Sequence, residues 1–390
     1  MTLLFHAVRR GIQHVSASSL ESGLAKRDAT TDAAMMAGAV GSLPPAYGLP
    51  LILGFILFVV VVCALDYTLY NVVATLAMVE SPTAAVTVTA ASDEGLDEAK
   101  QGLLDEDNIT VTLVNEKPVT SSIRGTIRHL RGQAGRFAPW RGYKAYMLYN
   151  LAFNVIGNIM LVALPQNAFV MVVVTALSGA LVSHLHANWA HKVVSMPNTK
   201  SWRQRLLPRE NWKNIALPAA VAACADYVAI IVAGATVYLI GLFDVLPKVG
   251  DSRSKELAFS AIIPRAVCVV AVFAACMLFI SLPAHVTLVR VEASLLPDSD
   301  ETVVPFDRTF AGKVVPRLLG GTGCVGFVDA WRSFNWEARR RLVKLYAKAT
   351  AIVSLVMFVF AFVFLLMTVL IFAAENERHA RESESFRNGH

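Results

Sequence analysis

Charge is scarce in this chain. Asp, Glu, Lys and Arg fill only 16% of its 390 positions, where a soluble domain carries roughly 25%. With 55% of residues apolar and a mean hydropathy of +0.52, a typical soluble enzyme is excluded, because one buried core cannot absorb so much apolar surface. The surplus must face lipid. Cysteine is sparse as well: five residues are too few for a disulfide scaffold, and Cys63, Cys224, Cys268 and Cys276 lie inside apolar runs as small core residues. H-x-x-x-H, HExxH, C-x-x-C and recognisable nucleophile motifs are all missing. No catalytic residue, metal site or cofactor is therefore assigned, and no nucleic-acid partner is expected.

What is present is long apolar runs. A helix needs about 20 apolar residues to cross the roughly 30 Å hydrocarbon layer, and six segments qualify: 49–79, 146–164, 168–187, 215–243, 262–282 and 349–374. Backbone amides in lipid must bond within their own segment, so helix is the reading for each. The fold class is all-α, a polytopic transmembrane helical bundle of about six spans with large loops. The organisation reads as a tail (1–48), span one (49–79), an acidic-then-basic loop (80–144), spans two and three as a hairpin (145–187) and a basic interfacial connector (188–213). Span four (214–243), a short loop (244–261), span five (262–282), a long loop (283–345), span six (346–374) and a tail (375–390) follow. Pro165, Gln166 and Asn167 alone separate spans two and three.

Loops 80–144, 188–213 and 283–345 hold 23 Lys and Arg against 10 in the segments alternating with them. Positive charge stays on the cytosolic side, which predicts that these loops are cytosolic and both termini lumenal or extracellular. Asn108-Ile109-Thr110 matches a glycosylation acceptor but falls on the cytosolic side and is expected to be unmodified. The N-terminal segment MTLLFHAVRRGIQHVSASSLESGLAKR has the acid-poor composition of a mitochondrial presequence. Its cleavage would leave the N-terminus on the side that the charge count rejects, so an endomembrane or plasma membrane is expected rather than a mitochondrial one.

The loops carry basic residues interleaved with aromatics. Arg124, Arg128 and Arg131 share a helical face, with Trp140 and Tyr143 placed as an interfacial belt. Arg203 and Arg205 lie in KSWRQRLLPRENWK beside Trp202 and Trp212. Anionic headgroups attract such residues by about 1 kcal/mol each near the surface, so the bilayer, with anionic headgroups, is a candidate partner alongside a protein partner that the sequence does not identify. HVTLVRVEASLLP (285–297) reads either as a short strand or as an amphipathic continuation of span five. Gly321, Gly323 and Gly326 spell G-x-G-x-x-G, a nucleotide-binding turn only if a strand precedes and a helix follows.

Polar groups inside spans are the functional pointers, since lipid exposure is costly for each. Asn150, Asn154 and Asn158 recur every four residues and form one stripe, expected to bond between helices. His184, Asn188 and His191 share a face of span three, but His184 and His191 stand about 10 Å apart along the axis, too far to share one metal ion. Asp226 is the carboxylate most isolated inside a span and a candidate proton or cation site.

The strings CALDYTLYNVVATLAMVE, KPVTSSIRGTIRHLRG and LPAHVTLVRVEASLLPDSDETVVPFDRTF resemble a family of uncharacterised fungal multi-pass integral membrane proteins, whose members often carry the automatic label "ubiquitin carrier protein". The resemblance covers roughly residues 45–375. It implies a polytopic membrane protein and transfers no catalytic residue. The sequence favours a membrane-organising or interaction protein, because polar stripes glue helices together more often than they line a path. The alternative is a small-solute or proton-coupled transporter using the intramembrane Asn, His and Asp groups.

Overall fold

Helix formation here is dictated by the missing water: apolar runs of this length close their hydrogen bonds internally or not at all. A computed structural model describes residues 45–81, 84–90, 109–115, 118–242 and 255–388, apart from 166, 199, 202, 298 and 316–319. The N-terminal tail, the acidic stretch 93–107, Asn108 and the short loop at 243–254 lie outside the described residues.

Helix α1 runs as Pro45–Asp66, a π-helical segment Tyr67–Val73 and Ala74–Val79. Then come α2 (Ile123–Ala134), α3 (Tyr143–Val162), α4 (Ala168–Val194) and α5 (Trp212–Leu239). Helix α6 is composite, with Lys255–Cys276, a π segment Met277–Ser281 and Leu282–Ser294. A short α7 (Phe327–Arg332) precedes the long α8 (Trp336–Asn388). Six helices among the described residues are long and apolar enough to cross a membrane. The protein is an all-α helical bundle. One small ladder accompanies it: β1 (Ala84–Ala90) pairs antiparallel with β2 (Ile109–Asn115), Thr87 opposite Thr112. Alternating Val and Thr account for it, since branched side chains favour the extended backbone.

The bundle has two layers. In one, α1 up to Asp66, α3 beyond Ala145, α6 up to Ile280 and α8 beyond Ala349 turn large apolar side chains outward, among them Leu53, Leu151, Val267 and Phe362. In the other, the same helices are packed on all sides. Val73, Leu76, Val79, Val286, Val289, Phe334 and Leu342 are buried there, and Tyr67, Leu130, Trp189 and Val304 form a second cluster beside them. The end of α1, the start of α3, the end of α4, the start of α5, the end of α6 and the start of α8 all belong to this packed layer. The described parts of loops 80–144, 188–213 and 283–345 that pack on these helix ends therefore lie at one end of the bundle, as the alternating spans require.

This division explains the 31-residue first span. Residues 49–66 cover about 27 Å at 1.5 Å per residue, enough for the hydrocarbon layer, while Tyr67–Val79 is packed inside protein. The fifth helix behaves the same way. It does not stop at Pro283: that residue sits in the first turn after the π segment, where a missing N–H costs little, and HVTLVRVEAS continues as helix. Pro264 lies within α6, which opens at Lys255 rather than at 262, and Trp212 rather than Ile215 opens α5.

Two buried charged groups hold the packed layer. Arg290 donates to the carbonyls of Ala330 (2.9 Å) and Met78 (3.1 Å) and to Ser333 Oγ (3.0 Å). Its guanidinium also lies 4.8 Å from the Phe310 ring centre and 5.3 Å from that of Phe334. It thus ties the ends of α1 and α7 to α6. Glu80 accepts from the backbone N–H groups of Val119 (2.6 Å) and Thr120 (3.2 Å) and from the Thr120 hydroxyl, with Arg341 at 3.5 Å. The glycine-rich stretch is a turn with Gly320 and Gly323 at positive φ. Among the described residues no strand leads directly into it and the helix directly after it has only six residues, so the dinucleotide pattern is not met.

Candidate functional site

Helices α4 and α5 approach closely because their facing residues are small. A Cβ on Gly179 would stand 2.7 Å from Ala223 Cβ and 2.9 Å from the Ala219 carbonyl oxygen. This is the small-residue packing that membrane helices use in place of a hydrophobic driving force. Helix α3 crosses α4 at Gly157, opposite Ser178, and α6 packs on α5 through Ala284 and Leu288 against Ala222 and Ala225. Between α3, α4, α5 and α6 these contacts leave a cavity of about 330 Å³.

Two carboxylate–imidazole pairs stand at this cavity. Asp226 of α5 accepts from Ser281 Oγ and stands 3.0 and 3.2 Å from His285 Nε2, both partners coming from α6. Glu292, one helical face further along α6, has both oxygens against His186 Nδ1 of α4 at 2.8 and 2.9 Å. The pairs differ in access. The Asp226 and His285 side chains keep 45% and 34% of their surface, whereas Glu292 keeps none. His191 Nε2 stands 2.7 Å from the Glu292 carbonyl oxygen, and because a carbonyl only accepts, that nitrogen carries the proton. Tyr149 of α3 packs edge-on to His186 at 5.0 Å between centroids and lines the cavity with Asn150, Phe153 and Tyr227.

Of the residues singled out from the sequence, Asn150 and Asp226 line the cavity, and His191 braces Glu292 from behind. Asn154, Asn158 and His184 are not among its lining residues, and Asn188 is buried within α4. The asparagine stripe does not bond between helices. Asn150, Asn154 and Asn158 each donate to the carbonyl four residues back, at 2.9, 2.7 and 2.8 Å, a partner always within reach on the same helix. The sequence reading missed His186, Ser281, His285 and Glu292. Ending span five at Pro283 placed the last two in a loop; continued as helix, Ser281, His285 and Glu292 fall on one face in successive steps of 4 and 7. Among the described residues no three His, Cys, Asp or Glu side chains converge as metal ligands would.

Basic residues on the loops divide into two kinds. Arg124, Arg128 and Arg131 stand exposed on one side of α2, whose other side buries Thr126 and Leu130 and packs Ile123 and Ile127. Phe137, 78% exposed, and Trp140, 42% exposed, follow directly. Arg205 is turned inward, reaching Asn198 Oδ1, the Lys200 carbonyl (3.3 Å) and Ser195 Oγ (3.5 Å), and burial pulls its pKa down. The side chain of Arg203 is outside the described residues. Comparison with protein-family models, with curated proteins and with solved structures finds no match for this chain.

Proposed function

We propose that this protein is a proton-coupled carrier of a small polar solute, with Asp226 and His285 as the proton-exchanging pair. The observation that carries this reading is the cavity itself: a carboxylate–imidazole pair with accessible side chains opens onto it, and a second, more buried pair reaches it through His186. Ionisable groups inside a bundle are costly even when paired and by default mark a functional site, and packing alone would be served by an apolar contact at Asp226. A proton arriving at Asp226 neutralises it, and the imidazole and Ser281 hydroxyl stabilise the carboxylate when the proton leaves. The groups sharing its field are His285 on α6, Tyr149 on α3, Tyr346 on α8, and Cys224 on its own helix, with the Glu292–His186 pair behind Tyr149.

The loop-bearing layer is proposed to face the cytosol, supported by the charge asymmetry. The exposed face of α2 supports a second role, in which Arg124, Arg128 and Arg131 bind anionic headgroups and Phe137 and Trp140 enter the interface. The transport reading is tested by reconstituting the full chain in liposomes loaded with a pH-sensitive dye. Addition of small solutes is expected to move protons in the wild type and not in Asp226→Asn or His285→Gln. Equal proton movement in all three would refute the assignment.

A further inference from the structure

The cavity's hydrogen-bond polarity specifies the solute. Several donors around the cavity are already committed, while the Tyr149 and Tyr227 hydroxyls at its wall can donate or accept. One N–H of Asn150 goes to the Tyr146 carbonyl at 2.9 Å, and the Thr175 hydroxyl goes to the Met171 carbonyl at 2.7 Å. The Ser281 hydroxyl and His285 Nε2 are engaged with Asp226. Besides the second N–H of Asn150, what these residues still offer is acceptors: the remaining lone pairs of Asp226, the amide oxygen of Asn150 and the hydroxyl oxygen of Thr175. The described lining residues include no lysine or arginine. Three rings, Tyr149, Phe153 and Tyr227, complete the wall, and aromatic faces attract cations.

We infer that the solute is a small organic cation bearing N–H donors, a protonated amine or a guanidinium, exchanged for a proton at Asp226. A bare metal ion fits poorly, because about 330 Å³ is roughly ten times the volume of one water molecule and no ring of oxygens closes around a point. That volume lies at the small end of ligand sites, about 300–1,000 Å³, so the solute is compact. The exchange balances: one proton leaves the Asp226 carboxyl as one monovalent cation binds the carboxylate, and the site's charge is unchanged. A cation thus never occupies the bundle without its counter-charge, and a loaded and a protonated site are electrically alike.

This inference rests on the transport reading, and the test separates the two. Full-length protein in liposomes, acid inside, is given radiolabelled methylguanidinium, lactate or sorbitol, with dye-reported proton movement measured in parallel. Saturable methylguanidinium uptake at least tenfold above protein-free liposomes is expected, coupled to one proton out per cation in. Asp226→Asn should bring it to background and Asp226→Glu should restore part of it. Thr175→Val, which keeps the charge and removes an acceptor, should raise KM severalfold with kcat little changed, so the test survives if Asp226→Asn fails to fold. Uptake of lactate or sorbitol in preference to methylguanidinium would overturn the cation assignment and leave transport standing. Absence of coupled flux for all three would sink both.

Discussion

Replacing Arg290 tests how the packed layer is held. The side chain is 4% exposed and donates three hydrogen bonds, to Met78 O, Ala330 O and Ser333 Oγ, between two aromatic rings. Bonds from a charged donor contribute about 1.5–3 kcal/mol each and cation–π contacts about 0.5–2. Against this stands the cost of burying a guanidinium, several kcal/mol. Arg290→Met removes both sides of that balance but strands the Met78 carbonyl at the end of α1, an unsatisfied buried acceptor costing about 1–3 kcal/mol. A net loss of about 3 kcal/mol is expected. Arg290→Lys should be no better, and this ordering is the sharper claim. An ammonium keeps the cost of a buried charge yet lacks the planar fork that reaches three acceptors on two different helix ends at once. The assay is reversible unfolding in mixed detergent micelles, followed by helical circular dichroism. Near-native stability of Arg290→Lys, or a loss below about 1 kcal/mol in Arg290→Met, would refute the account of Arg290 as the tie between α1, α6 and α7.

Further outcomes follow from other contacts. Gly179→Val should push α4 from α5, since even a Cβ would meet Ala223 at 2.7 Å, costing about 1–3 kcal/mol; wild-type melting of that variant would contradict the close approach. Asp307 accepts from Thr309 N (2.9 Å), Thr309 Oγ1 (2.7 Å) and Ala311 N (2.8 Å). Burial raises its pKa, but these bonds and Arg290 outweigh it and hold it below the usual carboxylate value. Its folded pKa being the lower one, it stabilises the fold above about pH 4 and that contribution is lost as pH falls further; Asp307→Asn should flatten that part of a stability–pH curve. Ala311→Gly should raise the melting temperature, because φ of +57° costs a non-glycine residue about 1 kcal/mol. Asn154→Leu should leave melting and flux near wild type, since the amide bonds only its own helix; lost flux would return the stripe to the solute path.

The apolar runs determined the helical class and the number of long spans without any tertiary information, because lipid leaves the backbone one solution that a local sequence can satisfy. The helical spacing of Arg124, Arg128 and Arg131 likewise fixed a common face on α2. Even the candidacy of Asp226 was legible, since a carboxylate within such a run stands out whatever surrounds it. Where a helix leaves lipid was not legible. Tyr67–Val79 prolongs the apolar run before it with only Tyr67, Thr68, Tyr70, Asn71 and Thr75 as polar interruptions, and packing against α6 and α8 makes it protein interior rather than a lipid-facing surface. Nor was the partner of any charge. Pro283 breaks a helix in isolation, but a π segment just before it and burial on all sides carry α6 through to Ser294. That continuation brings His285 to Asp226 and Glu292 to His186 from residues 59 and 106 positions away. Such pairings depend on which small residues let α4, α5 and α6 approach, and distance along the chain carries no record of that.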